Sequence, residues 1–186
     1  RACTRGGWGF ASFNRPSELE RFANLAVEQA AAVGKGETQL APVEAIDVKF
    51  ETEIIDDPRD HSVDEKVELL QGYDEIMARV EGVSNRSVSY GDTFKTKTFA
   101  SSEGSFIEQK LLDVAIGASP VSRKEGKTQP GHVGAGSSND FGVVLGLEDK
   151  IAEQSRLAAE LVTAPKVKSG VYTVLVDPKL AGVFVH

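Results

Sequence analysis

Thr96-Lys97-Thr98-Phe99-Ala100, then Ser101-Ser102-Glu103-Gly104, then the run from Ile107 to Ile116: this stretch decides the fold. The outer segments are rich in β-branched and aromatic residues, which suit a pleated surface. The segment between them ends on a glycine, which takes positive φ at no steric cost, so a hairpin is expected. The same texture runs from Arg86 to Phe141, rich in Val, Ile, Thr, Phe and Tyr and punctuated by Gly91, Gly104, Gly117, Gly126, Gly131 and Gly142. At those intervals the glycines predict an antiparallel meander.

Helical patterns flank the meander. Ser17 and Glu20 have the capping-box spacing, and Leu19, Phe22, Ala23, Ala26, Ala30 and Val33 form one apolar stripe, predicting a helix over 18–33 that ends at Gly34. Ser62 and Glu65 repeat the box, and Val67, Leu69, Leu70, Tyr73, Ile76, Met77 and Val80 give the face of a helix over 63–80. Gly72 inside it costs about 1 kcal/mol relative to Ala. A third stripe, Leu147, Ile151, Ala158, Leu161 and Val162, stops before Pro165.

Three further extended segments are expected. Gly6 to Phe13 alternates large and small residues, the pattern of a strand whose backbone approaches a neighbour closely. Ile46 to Ile55 sits in a linker-like region marked by Gly36, Pro42 and Pro58. Val171 to Val176 is apolar on both faces apart from Thr173, so it predicts a buried central strand closed by Asp177-Pro178. The fold class is α+β, helices packed on largely antiparallel sheets.

Charge and composition narrow the function. The 186 residues carry 28 acidic and 21 basic side chains, and a net charge of -7 opposes a phosphate backbone, so no direct nucleic-acid partner is expected. Apolar runs fall well short of the ~20 residues that span a bilayer, so no membrane partner is expected either. One cysteine, Cys3, cannot form a disulfide within the chain, which fits a reducing compartment and points to the cytoplasm. With no initiator Met, and ending on Val185-His186 after a strand and turn, the chain reads as an internal piece of something longer.

Most candidate sites have a bland explanation. Gly131-His132-Val133-Gly134-Ala135-Gly136 lacks the ending of a P-loop and the spacing of a dinucleotide fingerprint, so it reads as a flexible loop. His61 reads as a solvated turn residue, since no second ligand stands at a metal-motif spacing. Asp56-Asp57-Pro58-Arg59-Asp60 lacks a calcium-loop pattern and reads as a surface turn.

The carboxyl end differs. Ser169-Gly170-Val171-Tyr172-Thr173-Val174-Leu175-Val176-Asp177-Pro178-Lys179-Leu180-Ala181-Gly182-Val183-Phe184-Val185-His186 resembles the segment that, in the TldD/PmbA family of metalloproteases, leads from a buried strand into a helix carrying His-Glu-x-x-x-His. Gly6 to Ser12 resembles that family's amino-terminal strand, and Ser102-Glu103-Gly104 its central Asn-Ser-Glu-Gly turn. The three matches occur in the family's order and span the chain.

The resemblance implies three parts: the end of an amino-terminal domain over 1–36, a central domain over 37–165 and the start of a catalytic domain over 166–186. It implies His186 as the first zinc ligand, with the catalytic Glu and the second His beyond the chain, so no catalytic residue lies within it and it is not expected to act alone. In such sites zinc acidifies a bound water and polarises the scissile carbonyl while the carboxylate takes a proton. The implied substrate is a peptide or unfolded polypeptide, cleaved in a chamber formed by a homodimer or a heterodimer of related subunits. The alternative is a non-catalytic partner subunit, a binding or assembly module whose parent lacks the metal motif.

Overall fold

The computed structural model describes residues 1–38 and 40–186, leaving aside the side chain of Lys179. Gln39, inside the segment expected to link two regions, lies outside the described residues. The class is α+β, and the chain divides into two compact units: Arg1–Val48 with Phe99–Phe106, and Lys49–Thr98 with Ile107–His186.

In the first unit a small hairpin, β1 (Ala2–Thr4) and β2 (Gly7–Gly9), packs on helix α1 (Leu19–Val33). Its two-residue turn places Arg5 and Gly6 at positive φ. Gly7 and Gly9 face the helix, and a methyl group on either would fall within 2.2 Å of the Ala30 carbonyl oxygen or 1.8 Å of the Ala26 carbonyl oxygen. Ala26 and Ala30 are the buried residues of α1, so small residues on both sides let the two backbones meet. The close approach expected of this segment is therefore real, although the strand itself is only three residues long. The capping box at Ser17 and Glu20 does not form: Pro16–Glu18 is a 3-10 turn, and α1 starts after it without a side-chain cap. Proline fixes the local φ and the chain enters the helix through that turn. The Gly34 amide closes the helix on the Ala30 carbonyl.

In the second unit, helix α2 (Val63–Ala78) carries the full capping box: the Ser62 hydroxyl accepts from the Glu65 amide, and the Glu65 carboxylate accepts from the Ser62 amide. The meander is present, with strands far longer than the local pattern suggested: β4 (Val83–Ala100) and β5 (Phe106–Lys124). Gly104 takes φ +94° in the connecting turn, as expected. Gly91 and Gly117, by contrast, lie inside strands. On β5 the residues Leu112, Val114, Ile116, Ala118, Pro120 and Ser122 are all buried, the period-two signature of one covered face. Strand β3 (Asp47–Glu51) lies beside β5. Their hydrogen bonds, Phe106 amide to Ile46 carbonyl and Thr52 amide to Lys110 carbonyl, advance in the same sense along both strands, so this pairing is parallel.

The 131–136 stretch is not a loop. Strand β6 (Lys127–Pro130) and strand β7 (Val133–Ser137) both pair antiparallel with β5. They form nearly one strand, interrupted opposite Pro120, which accepts from the Gly131 amide but has no N–H to return. Gly131 is needed there for a second reason, because a side chain would meet the Gln154 carbonyl of helix α3 (Glu148–Leu161) at 2.8 Å.

The core of this unit lies between β5, β7, α2 and α3. Tyr73, Met77, Val114, Ile116, Phe141, Val144, Leu147 and Ile151 form one buried cluster. At its centre the Tyr73 hydroxyl donates to the Val144 carbonyl at 2.7 Å and accepts from the Leu147 amide at 3.3 Å. No helix among the described residues is long and apolar enough to cross a membrane.

Candidate functional site

Asp177 and Pro178 open helix α4 (Pro178–Val185): the Asp177 carboxylate accepts from the Leu180 amide at 2.7 Å, and Pro178 occupies the first turn, where its missing N–H is harmless. The helix leads directly to His186, an exposed residue at its carboxyl-terminal cap. The segment before it corrects an expectation. Val171 to Val176 forms no strand and is not buried; Val171 and Leu175 are fully exposed. A strand apolar on both faces needs a hydrogen-bonding partner and two covering layers, and none of the strands among the described residues pairs with it.

His186 stands alone. Among the described residues no group of three His, Cys, Asp or Glu side chains is close enough to share a metal ion. Zinc sites use three or four protein ligands, so the chain by itself does not fit the metal, and no hydrolytic step follows from its own residues. The other histidines lie in the central region. His61 is not simply solvated: Nε2 sits 2.8 Å from Asp56 Oδ1, and the ring stacks on Phe141 at 4.0 Å. His132 is exposed, with Nδ1 3.4 Å from the Ser119 hydroxyl. Cys3 is an exposed thiol on β1.

The acidic turn is better ordered than its sequence suggested. The Asp57 carboxylate holds the Arg59 side chain through Nε and Nη2, the latter at 2.6 Å, and also accepts from the Arg59 amide. Those hydrogen bonds, side chain first and backbone second, lower the Asp57 pKa to about 2. The Arg59 guanidinium lies 4.2 Å from the centre of the Phe94 ring. Next along β4, Asp92 accepts from Lys66 and from the Tyr90 hydroxyl, both at 2.9 Å. Burial opposes ionisation of Asp92, but the two donors outweigh it and its pKa falls. A cleft of about 170 Å³ opens beside Arg59 and Phe94, with Thr52, Thr96, Lys110 and Leu112 around it. Nothing local announces this cleft, because its walls come from separate segments, Glu51 to Arg59, Phe94 to Thr96 and Lys110 to Leu112; the one clue was the basic residue inside the acidic run.

Residues 56–164 match the PmbA/TldA metallopeptidase central domain. The chain belongs to the TldD/PmbA family. Relatives named metalloproteases align with it across the whole length. A metalloprotease of Synechocystis is 31% identical over 188 residues, covering 100% of this chain and 41% of that protein. A metalloprotease of Methanothermobacter thermautotrophicus is 32% identical over 190 residues with the same coverages. One from Methanocaldococcus jannaschii is 30% identical over 196 residues, 100% of this chain and 42% of that protein. The chain thus spans about two fifths of the length of these metalloproteases.

Proposed function

We propose that this chain is part of a zinc-dependent peptidase that cleaves peptides or unfolded polypeptides, and that His186 is the first metal ligand of a His-Glu-x-x-x-His helix. The observation that carries the reading is α4: a side-chain-capped helix that ends on His186, in a chain whose relatives are named metalloproteases. A helix is the element such a motif requires, since it presents successive ligands from a rigid scaffold. In the full-length protein zinc would supply Lewis-acid polarisation of the scissile carbonyl and an acidified water. His186 would contribute one imidazole, and the remaining donors would come from residues outside this chain.

In the same reading, residues 1–36 end an amino-terminal domain, 37–165 make the central domain and 166–186 begin the catalytic domain. The protein works in the cytoplasm as a homodimer or as a heterodimer with a related subunit. The test is metal content and peptide hydrolysis of the full-length protein, with and without chelator, against His186→Ala. Stoichiometric zinc and chelator-sensitive hydrolysis, both lost in the variant, support the reading. A folded full-length protein without zinc or hydrolysis would make it the non-catalytic partner subunit instead.

A further inference from the structure

Beyond Leu112 the covered face of the β4–β5 sheet runs out. Leu112 is buried, whereas Lys110, two residues earlier on the same face, is exposed. On β4 the corresponding residues are Phe94 and Thr96, both exposed. The cleft of about 170 Å³ sits at this border, with Arg59 standing over Phe94 as one wall. The chain that follows β3 bonds to the Lys110 carbonyl through Thr52 and then leaves, rejoining the structure at Asn139 through Ile55. Strand β7 begins its pairing at Val114, opposite Ser137. Between these points no backbone hydrogen bond ties Leu112 to the departing segment among the described residues. The result is a gap in the edge of a sheet, directly beside the cleft.

The polar groups around the gap have donors to spare. Asp57 engages Nε and Nη2 of Arg59, and Nη1 carries no hydrogen bond among the described residues. Asp57 and the Phe94 ring thus fix the guanidinium plane and leave one edge open. Across the cleft, Lys110 Nζ has one partner, Glu51 at 3.1 Å, and an ammonium group has three N–H donors. Glu51 also lines the cleft and is paired with Lys110. The remaining donors of the two cations, beside apolar Phe94 and Leu112, suit a carboxylate carried next to an apolar stem, and the uncovered strand edge suits a main-chain peptide group. The volume is well below the 300 Å³ or so of a drug-sized site and matches about one side chain.

We propose that this cleft binds a peptide carboxylate, either the carboxyl terminus or a glutamate side chain of an extended segment, with Arg59 Nη1 and Lys110 Nζ as its donors. The proposal rests on the reading of the protein as one that handles peptides and names a feature of the peptide it would hold. It is testable without metal or turnover. A full-length protein that lacks peptidase activity leaves it standing, and a cleft without carboxylate preference leaves the peptidase reading standing.

The experiment is a titration of the 186-residue chain, followed by amide NMR shifts, with three peptides: acetyl-Ala-Ala-Leu as the free acid, the same peptide amidated, and acetyl-Ala-Glu-Ala amide. Saturable shifts confined to Lys95, Thr96, Lys110 and Leu111 with the free acid, weakened about a hundredfold by amidation, are expected for loss of both charge-assisted pairs. Recovery with the glutamate peptide assigns the side-chain source, and no recovery assigns the terminus. Arg59→Gln and Lys110→Gln should each weaken the binding about tenfold, for one lost pair, and preserve the rest of the amide spectrum. Equal binding of acid and amide, shifts centred elsewhere, or wild-type affinity in both folded variants would overturn the proposal.

Discussion

Gly9 lies against the Ala26 carbonyl so closely that a methyl group at its Cα would stand 1.8 Å from the oxygen. Neither partner can yield cheaply, because Gly9 is in a ladder with Ala2 and Ala26 is inside α1. Overpacking a well-fitted contact costs about 1 to 3 kcal/mol, and a backbone clash falls at the upper end. Gly9→Ala should therefore destabilise the amino-terminal unit by roughly 3 kcal/mol. The chain's one tryptophan, Trp8, sits beside it and reports on that unit. Urea unfolding followed by Trp8 fluorescence gives the value. Gly36→Ala is the control, since nothing lies within 4 Å of its added methyl group, and it should change little.

Gly72 presents the opposite case. It lies inside α2, and a methyl group there would meet nothing within 4 Å. Gly72→Ala should stabilise the central region by about 0.5 to 1 kcal/mol, the helix-propensity difference. A midpoint of denaturation that stays the same or falls would mean that this glycine has a packing partner outside the chain.

Much of this was legible in the sequence, and the exceptions share a cause. The α2 capping box and the Gly104 turn depend on near neighbours, so a local pattern specifies them, and the small residues at Gly7 and Gly9 signal a close approach without naming its partner in α1. The 131–136 strand was misread because its partner, β5, supplies the order that its glycines lack. The strand expected at Val171 to Val176 fails for the same reason in reverse: its pattern describes layers that the described residues do not provide. The Arg59–Phe94 stack needed the fold to bring two segments together.

Alkaline pH should destabilise the central region. Burial raises the Tyr73 pKa, and burial together with the Asp92 hydrogen bond raises that of Tyr90. Their contribution is fully present below the ordinary tyrosine value of about 10 and is lost as pH rises from there through the folded values. Tyr73→Phe should cost about 1 to 3 kcal/mol near neutrality, by leaving the Val144 carbonyl and the Leu147 amide unpaired in the core, and should flatten the loss of stability above pH 10. Denaturation curves from pH 7 to 11 test both statements.

At the acidic end the sign reverses. Asp57, held by Arg59, titrates near 2 instead of its ordinary 3.8, so its contribution is present above the ordinary value and lost as pH falls towards 2. Carboxyl NMR titration should show Asp57 at about 2 in the wild type and shifted part of the way back towards the ordinary range in Arg59→Gln, which loses the side-chain hydrogen bonds and keeps the backbone one. An unchanged titration in the variant would mean that Arg59 does not hold the carboxylate in solution.

Amide exchange along 171–176 should be fast in this chain, because those residues are exposed and unpaired. If they feed the zinc helix of a complete catalytic domain, the same amides should be strongly protected in the full-length protein. Equal exchange in both would remove their claim to a buried strand.

The most direct measurement is zinc stoichiometry and chelator-sensitive peptide hydrolysis in the full-length protein, wild type against His186→Ala. One zinc per catalytic subunit and hydrolysis abolished by chelator are expected, both lost in a variant that keeps its fold. Full zinc occupancy and full hydrolysis in His186→Ala would contradict it.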